Sequence, residues 1–287
     1  MTYFFRIILL SLICIPSLGF SQNMKLEAFR IYNHKGKEVK WKKVIKNLKG
    51  QDLILIGELH NNAISHWLQY QIISTLHDSL RPLKIGAEMF ESDNQILIDE
   101  YFQDLISTKS FEAEARLWNN YSTDYKPILE YAKSQGIPFI GTNIPRRYAS
   151  AFYYKGDSLF SQLSEEAKNW ICPLPFIFPR ELDSYKNLLA ISGHGGENLA
   201  KAQAIKDATM AHFILKNYNS GDLFIHLNGN QHSIRKEAIS WYLLQSKPEL
   251  NILNIHTTES TDLEWKDDYE GLADFILVVD ENMTKTY

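Results

Sequence analysis

Cysteine is scarce in this chain, with Cys14 and Cys172 the only two in 287 residues. Cys14 falls in a leader segment, so a single cysteine remains after processing and an internal disulfide is excluded. An exported protein without one must rely on a packed core, and a composition of 45% hydrophobic and 13% aromatic residues allows it. Neither sign of charge dominates: 30 Lys and Arg stand against 34 Asp and Glu, a formal net charge of −4. That balance leaves no basic footprint for nucleic acid. Beyond the leader no apolar run is long enough to cross a membrane as a helix. Several motifs are missing as well. There is no Gly-x-Ser-x-Gly elbow, no Gly-x-Gly-x-x-Gly loop, no His-Glu-x-x-His helix and no cysteine-rich set. Their absence removes the usual serine-hydrolase, dinucleotide and zinc-site readings. Internal repeats, low-complexity tracts and linkers are absent too.

What is present begins with Met1 to Phe20, where Arg6 precedes the apolar block Ile7 to Ile15 and Pro16, Gly19 and Ser21 follow. This order predicts a secretory signal peptide over residues 1–21, with Gln22 as the first mature residue. Lipidation at Cys14 is disfavoured because Ile13 is too large for the preceding position. Residues 22–287 are then expected to form a single domain.

The chain is organised around Asp52 to Asn61, where the apolar run Leu53-Ile54-Leu55-Ile56 stops at Gly57-Glu58-Leu59-His60. Such a run reads as a strand buried on both faces, typical of parallel sheets. Glu58 and His60 are two residues apart, so on an extended chain they leave the same face. Before this strand the pattern predicts an edge strand over 28–34 and a short helix over 39–48. After it, a helix runs from Asn61 to about Ser79, with Ile64, Leu68, Gln71, Ile72 and Leu76 on its apolar stripe. Gln69 and Gln71 read as helix surface, with Gln71 within reach of the site, and His66 and His77 fall on or near the surface. A second strand, 83–89, ends at Glu88. Helical segments over 94–103 and 111–118 lead to Trp118, Tyr121 and Tyr125, a packing corner or the wall of a flat-ligand site. A helix over 125–135 is closed by Gly136, and a third buried strand, 137–143, ends at Thr142-Asn143. Residues 145–218 form a largely helical insertion or lid, opened by Arg146 and Arg147 at a helix start. Strands at 223–228, 251–256 and 273–279 complete the set. The predicted fold class is α/β: a mostly parallel central sheet flanked by helices, with that insertion.

Glu58, His60, Glu88 and His232 all fall at carboxyl ends of predicted strands, where the ligand crevice of an open parallel sheet lies. Two carboxylates and two imidazoles suit a divalent metal ion such as Zn²⁺, Mn²⁺ or Fe²⁺. They equally suit acid–base work on a metal-free substrate.

Taken in order, Gly57-Glu58-Leu59-His60-Asn61-Asn62, Gly86-Ala87-Glu88-Met89-Phe90-Glu91 with Gln95, Gly136-Ile137-Pro138 running into Thr142-Asn143-Ile144-Pro145-Arg146, Asp207-Ala208-Thr209-Met210-Ala211 and Gly229-Asn230-Gln231-His232 resemble the ChaN-like haem-binding uptake proteins. The resemblance covers roughly residues 28 to 245. It implies an exported α/β protein, periplasmic or outer-membrane-associated, that carries haem in haem and iron uptake. An outer-membrane uptake receptor and a second copy of the chain are its implied partners. The wider superfamily, with its erythromycin esterase-like enzymes and TIKI metalloproteases, implies the alternative of an ester- or peptide-bond hydrolase acting through Glu58, His60, Glu88 and His232. For haem, the expected contacts are His60, Tyr148, Tyr153, Tyr154, His194 and His232, with Arg146 pairing a propionate.

Overall fold

The computed structural model describes residues 27–77, 81–190 and 195–287. The expected signal peptide and His194 lie outside them. Among the described residues no helix is long and apolar enough to cross a membrane.

Seven strands form one sheet in the order β1-β7-β6-β2-β5-β3-β4. In chain order they are β1 Phe29–Asn33, β2 Leu53–Glu58, β3 Leu83–Glu91, β4 Phe139–Asn143, β5 Leu223–Gly229, β6 Ile252–Ser260 and β7 Phe275–Asp280. All neighbouring pairs are parallel except β1 with β7, which runs antiparallel at the edge. The sheet is thus α/β and mostly parallel, as its near-continuous apolar runs predict. One arrangement was not predicted: β5 lies between β2 and β3, so the two strands carrying Glu58 and Glu88 are not adjacent. The strand order reverses around β2 and β5, which makes their carboxyl ends a topological switch point.

Helices cover both faces. On one side lie α1 Trp41–Leu48, α2 Ala63–His77, α3 Gln95–Phe102, α4 Thr108–Glu114 and α5 Lys126–Gln135. They enclose a core that includes Ile54, Ile56, Ile85, Ala87, Leu68, Ile72 and Leu129. On the other side α9 Gly195–Asn217 and α10 Ile239–Ser246 pack Met210, Ile214, Ile239 and Leu243 against Leu53, Leu55 and Phe224. Alternate residues of β2 therefore serve opposite layers, and both layers exclude water from it: Leu53 to Ile56 are all 2% exposed or less. Each such side chain contributes about 1.5–3 kcal/mol of transfer free energy. Between β4 and α9 lie α6 Arg146–Lys155, α7 Glu165–Lys168 and α8 Asp183–Leu189. Phe152, Ile171 and Cys172 join α9 residues Ala202 and Ile205 in a further apolar cluster. This region is helical and sits beside the carboxyl ends of the strands.

Candidate functional site

The carboxyl ends of β2, β3, β4 and β5 open into a crevice of about 940 Å³, at the upper end of the range for small-molecule sites. Its floor is Glu58, His60, Glu88, Asn143 and Gly229 to His232. One wall is a turn of helix face on α6 (Arg146, Ala149, Ser150, Tyr153) beside one on α9 (Leu199, Ala202, Gln203, Lys206). The opposite wall is Leu117 to Asn120, and Tyr287 closes a further side.

Strand parity assigns the two carboxylates to different layers. Glu58 continues the Ile54–Ile56 face and meets α2 and the turn of π-helix over Tyr121–Tyr125. Its Oε1 accepts from Tyr125 Oη at 2.6 Å and lies 2.9 Å from His60 Nδ1, while Oε2 accepts from Gln69 Nε2 at 2.6 Å. Burial pushes this carboxyl up, but the imidazoles of His66 and His60 and the Tyr125 hydroxyl outweigh it and hold it below the usual range. Burial likewise opposes a charged His60, and the hydrogen bond and charge of Glu58, with Glu88 beyond, raise its pKa overall. One imidazole nitrogen of His60 is thus fixed by a buried carboxylate, and the ring is partly open to the crevice, with its side chain 36% exposed. Trp118 packs edge-on against the ring at 4.9 Å between centroids. Behind the ring runs Gly229, where an added Cβ would fall 2.7 Å from His60 Cε1 and Nε2. A glycine is needed there for the ring to approach the strand end so closely.

Glu88 serves the other layer. Its Oε2 accepts from Gly229 N at 2.7 Å and its Oε1 lies 3.0 Å from His232 Nε2. The other ring nitrogen, Nδ1, meets Asp207 Oδ1 on α9 at 2.5 Å, and Tyr185 Oη donates to Asp207 Oδ2 at 2.8 Å. His232 is therefore gripped between two carboxylates. Burial alone would lower its pKa, but those two charges push it up to about 10. Glu88, against its own burial, is held far below the usual carboxylate range by His232. Asp207 is raised, because burial outweighs His232 there. A buried imidazolium between carboxylates is strongly interdependent: removal of one member leaves an uncompensated charge.

The structure brings Glu58, His60, Glu88 and His232 to one crevice, with Arg146 and Tyr153 on its wall. Arg146 also pairs with buried Glu91 at 2.8 Å. Tyr148 and Tyr154 stand apart. Tyr148 lies under the Arg147 guanidinium and Tyr154 is 79% exposed, and neither lines the crevice. The expected metal set does not form: among the described residues no three His, Cys, Asp or Glu side chains are placed to hold one ion. The physical reason is that each of the four is already turned toward a protein partner, Glu58 with Tyr125 and Gln69, Glu88 with Gly229 and His232.

Other participants escaped the sequence reading. Gln69 is fully buried and holds Glu58, whereas Gln71 is half-buried and makes no such bond, the reverse of the expected phase. His66 is likewise buried, within α2, with Nε2 3.1 Å from the His60 carbonyl. Asp207 lay in a quoted motif but had no assigned role. Lys206 and Tyr287 carried no signal. Asn120 Oδ1 and Asn143 Oδ1 belong to crevice residues and are buried without a hydrogen-bond partner among the described residues.

A doubly covered, mostly parallel sheet whose switch-point crevice holds two carboxylate–imidazole pairs defines an α/β small-molecule-site protein. The chain belongs to the haem-binding uptake family of the Tiki superfamily that includes ChaN, whose family model matches residues 44–243. ChaN of Campylobacter jejuni, described for its cofacial heme binding, is similar in structure, with 18% identity, a TM-score of 0.67 and coverage of 89% of this chain and 98% of that one. A Bacillus cereus protein is also similar, with 12% identity, a TM-score of 0.51 and coverage of 83% and 90%. So is a succinoglycan biosynthesis protein, with 11% identity, a TM-score of 0.50 and the same coverage. At these identities the structural likenesses speak for the fold alone. Comparison with curated proteins gives no match.

Proposed function

We propose that the crevice binds haem and that the protein is exported to serve haem and iron uptake, passing its ligand to an uptake receptor at the outer membrane. Family membership supports the ligand, and the observation that carries the reading here is the composition of the crevice. It is large enough for a flat macrocycle and has aromatic rings at Trp118, Tyr153 and Tyr287. Arg146 and Lys206 give it cations suited to carboxylates. Bound haem would supply an iron centre able to take a protein side chain as ligand. His60 is the residue best placed to hold it, because Glu58 fixes Nδ1 and thereby the tautomer and the ring plane. Arg146 and Lys206 would orient the propionates, and Trp118 would shield the His60 ring from water.

Titration of the purified protein with hemin is expected to give a shifted Soret band with micromolar or tighter affinity. His60→Ala should weaken binding by about 10–100-fold. An unshifted band in the wild type would refute the reading.

Hydrolysis of an ester or peptide bond is the second reading, favoured by the two carboxylate–imidazole pairs. Glu58 and Glu88 are both held ionised, whereas a carboxyl that donates a proton near neutral pH needs a raised pKa. The proton donor would then have to be an imidazole. A substrate screen that finds turnover in the wild type and none in His60→Ala would establish this reading in place of the first.

A further inference from the structure

Tyr287 faces the crevice at the end of a short segment that is fastened down residue by residue. Lys285 bridges to Asn62 in antiparallel fashion, and Thr286 N donates to the Asn61 carbonyl at 3.1 Å. The Lys285 ammonium pairs with Glu259, whose Oε1 also accepts from Asn62 Nδ2 at 2.9 Å. Thr286 Oγ1 donates to Asp124 Oδ2 at 2.7 Å, and Asp124 is 3% exposed. The same Oδ2 accepts from Asn120 Nδ2 at 2.6 Å and lies 3.4 Å from His66 Nε2. Asn120 Nδ2 and His66 Nε2 both contact the His60 carbonyl, at 2.7 and 3.1 Å. Residues 285–287 are thereby joined through one buried carboxylate to the loop that carries His60. They lie beyond the region matched by the family, which ends at residue 243.

Ordering an exposed segment of three residues costs conformational entropy. The anchors at Asn61, Asn62, Glu259 and Asp124 offset that cost. What they hold in place is an aromatic ring that is still 61% exposed and lines the crevice. A large apolar surface that stays uncovered beside the crevice gains by being covered by a flat partner.

We propose that residues 285–287 form a strap that retains the ligand. The ring of Tyr287 is a wall contact for a planar aromatic ligand, and Lys285 and Thr286 are positioning residues that hold the ring there. The proposal rests on the haem reading of the same crevice. Its test is the rate at which hemin leaves the loaded protein, followed by transfer to an excess of apomyoglobin. Tyr287→Ala and the double change Lys285→Ala with Thr286→Val should each raise that rate about tenfold, since changes at one interface act mainly on dissociation. Tyr287→Phe and Thr286→Ser should each stay near the wild-type rate, because the ring and the hydroxyl are the groups in use. Circular dichroism confirms that each variant is folded. Hemin binding by the wild type with equal off-rates in all variants overturns the strap alone. A Tyr287→Phe rate as fast as that of Tyr287→Ala overturns the wall contact, since the hydroxyl rather than the ring would then be the group in use. Failure of the wild type to bind hemin overturns the functional reading, and the strap with it.

Discussion

At the scale of single residues, the crevice depends on side chains whose freedom has been removed. His60 is held by Glu58 through one nitrogen and packed by Trp118 at its edge, and it lies over a glycine. Gly229→Ala would put a methyl group 2.7 Å from two ring atoms of His60, so the ring must swing toward the crevice. The expected outcome is a loss of hemin affinity of about 10–100-fold, measured by Soret titration, with the far-ultraviolet spectrum unchanged. His232 is buried between Glu88 and Asp207. His232→Ala strands both carboxylates, and destabilisation of about 3–5 kcal/mol is expected in urea unfolding.

At the scale of elements, the parallel strands were legible because burial on both faces demands an unbroken apolar run, and each such run was bounded by polar or turn residues. Their carboxyl ends, and with them Glu58, His60, Glu88 and His232, followed directly. Helix phase was less legible. α2 buries Ser65, His66 and Gln69 as well as Leu68, Ile72 and Leu76. A stripe traced through apolar residues alone rotates the helix away from its polar contacts, which is how Gln71 was favoured over Gln69. The insertion of β5 between β2 and β3 leaves no local trace, because strand order is set by how the layers pack. Asp207 meets His232 across 25 residues of sequence, and nothing in its own helix marks the pairing. At the β4 edge, Gln95 from α3 accepts from Gly141 N at 2.8 Å and donates to the Phe139 carbonyl at 3.0 Å. It thus satisfies backbone groups that a further strand would otherwise take. Gln95→Ala should cost about 1–3 kcal/mol in urea unfolding, because it leaves those groups without a partner.

At the scale of the whole molecule, the coupled charges set how stability responds to pH. His232 is raised from 6.5 to about 10, so its contribution is complete below pH 6.5 and fades as pH climbs toward 10. Glu88 is lowered from 4.5, so its contribution is complete above pH 4.5 and fades as acid protonates it below that. Both are at full strength between pH 4.5 and 6.5. The stability advantage of the wild type over a Glu88→Gln, His232→Gln double variant, measured by urea unfolding, should be largest in that interval and shrink on both sides. A flat difference from pH 4.5 to 10 would mean that the pair is not ionised as described.

The antiparallel edge strand sets the side from which the chain enters the sheet. Phe29 pairs with Val279 and Asn33 with Phe275, so β1 starts at the end of the sheet where β7 finishes. That is also the end where β2 and β5 present Glu58 and Gly229. Chain entering at residue 27 therefore arrives at the crevice end of the molecule. A tag joined directly ahead of residue 27 would therefore sit beside the mouth of the crevice and not at the opposite end of the sheet.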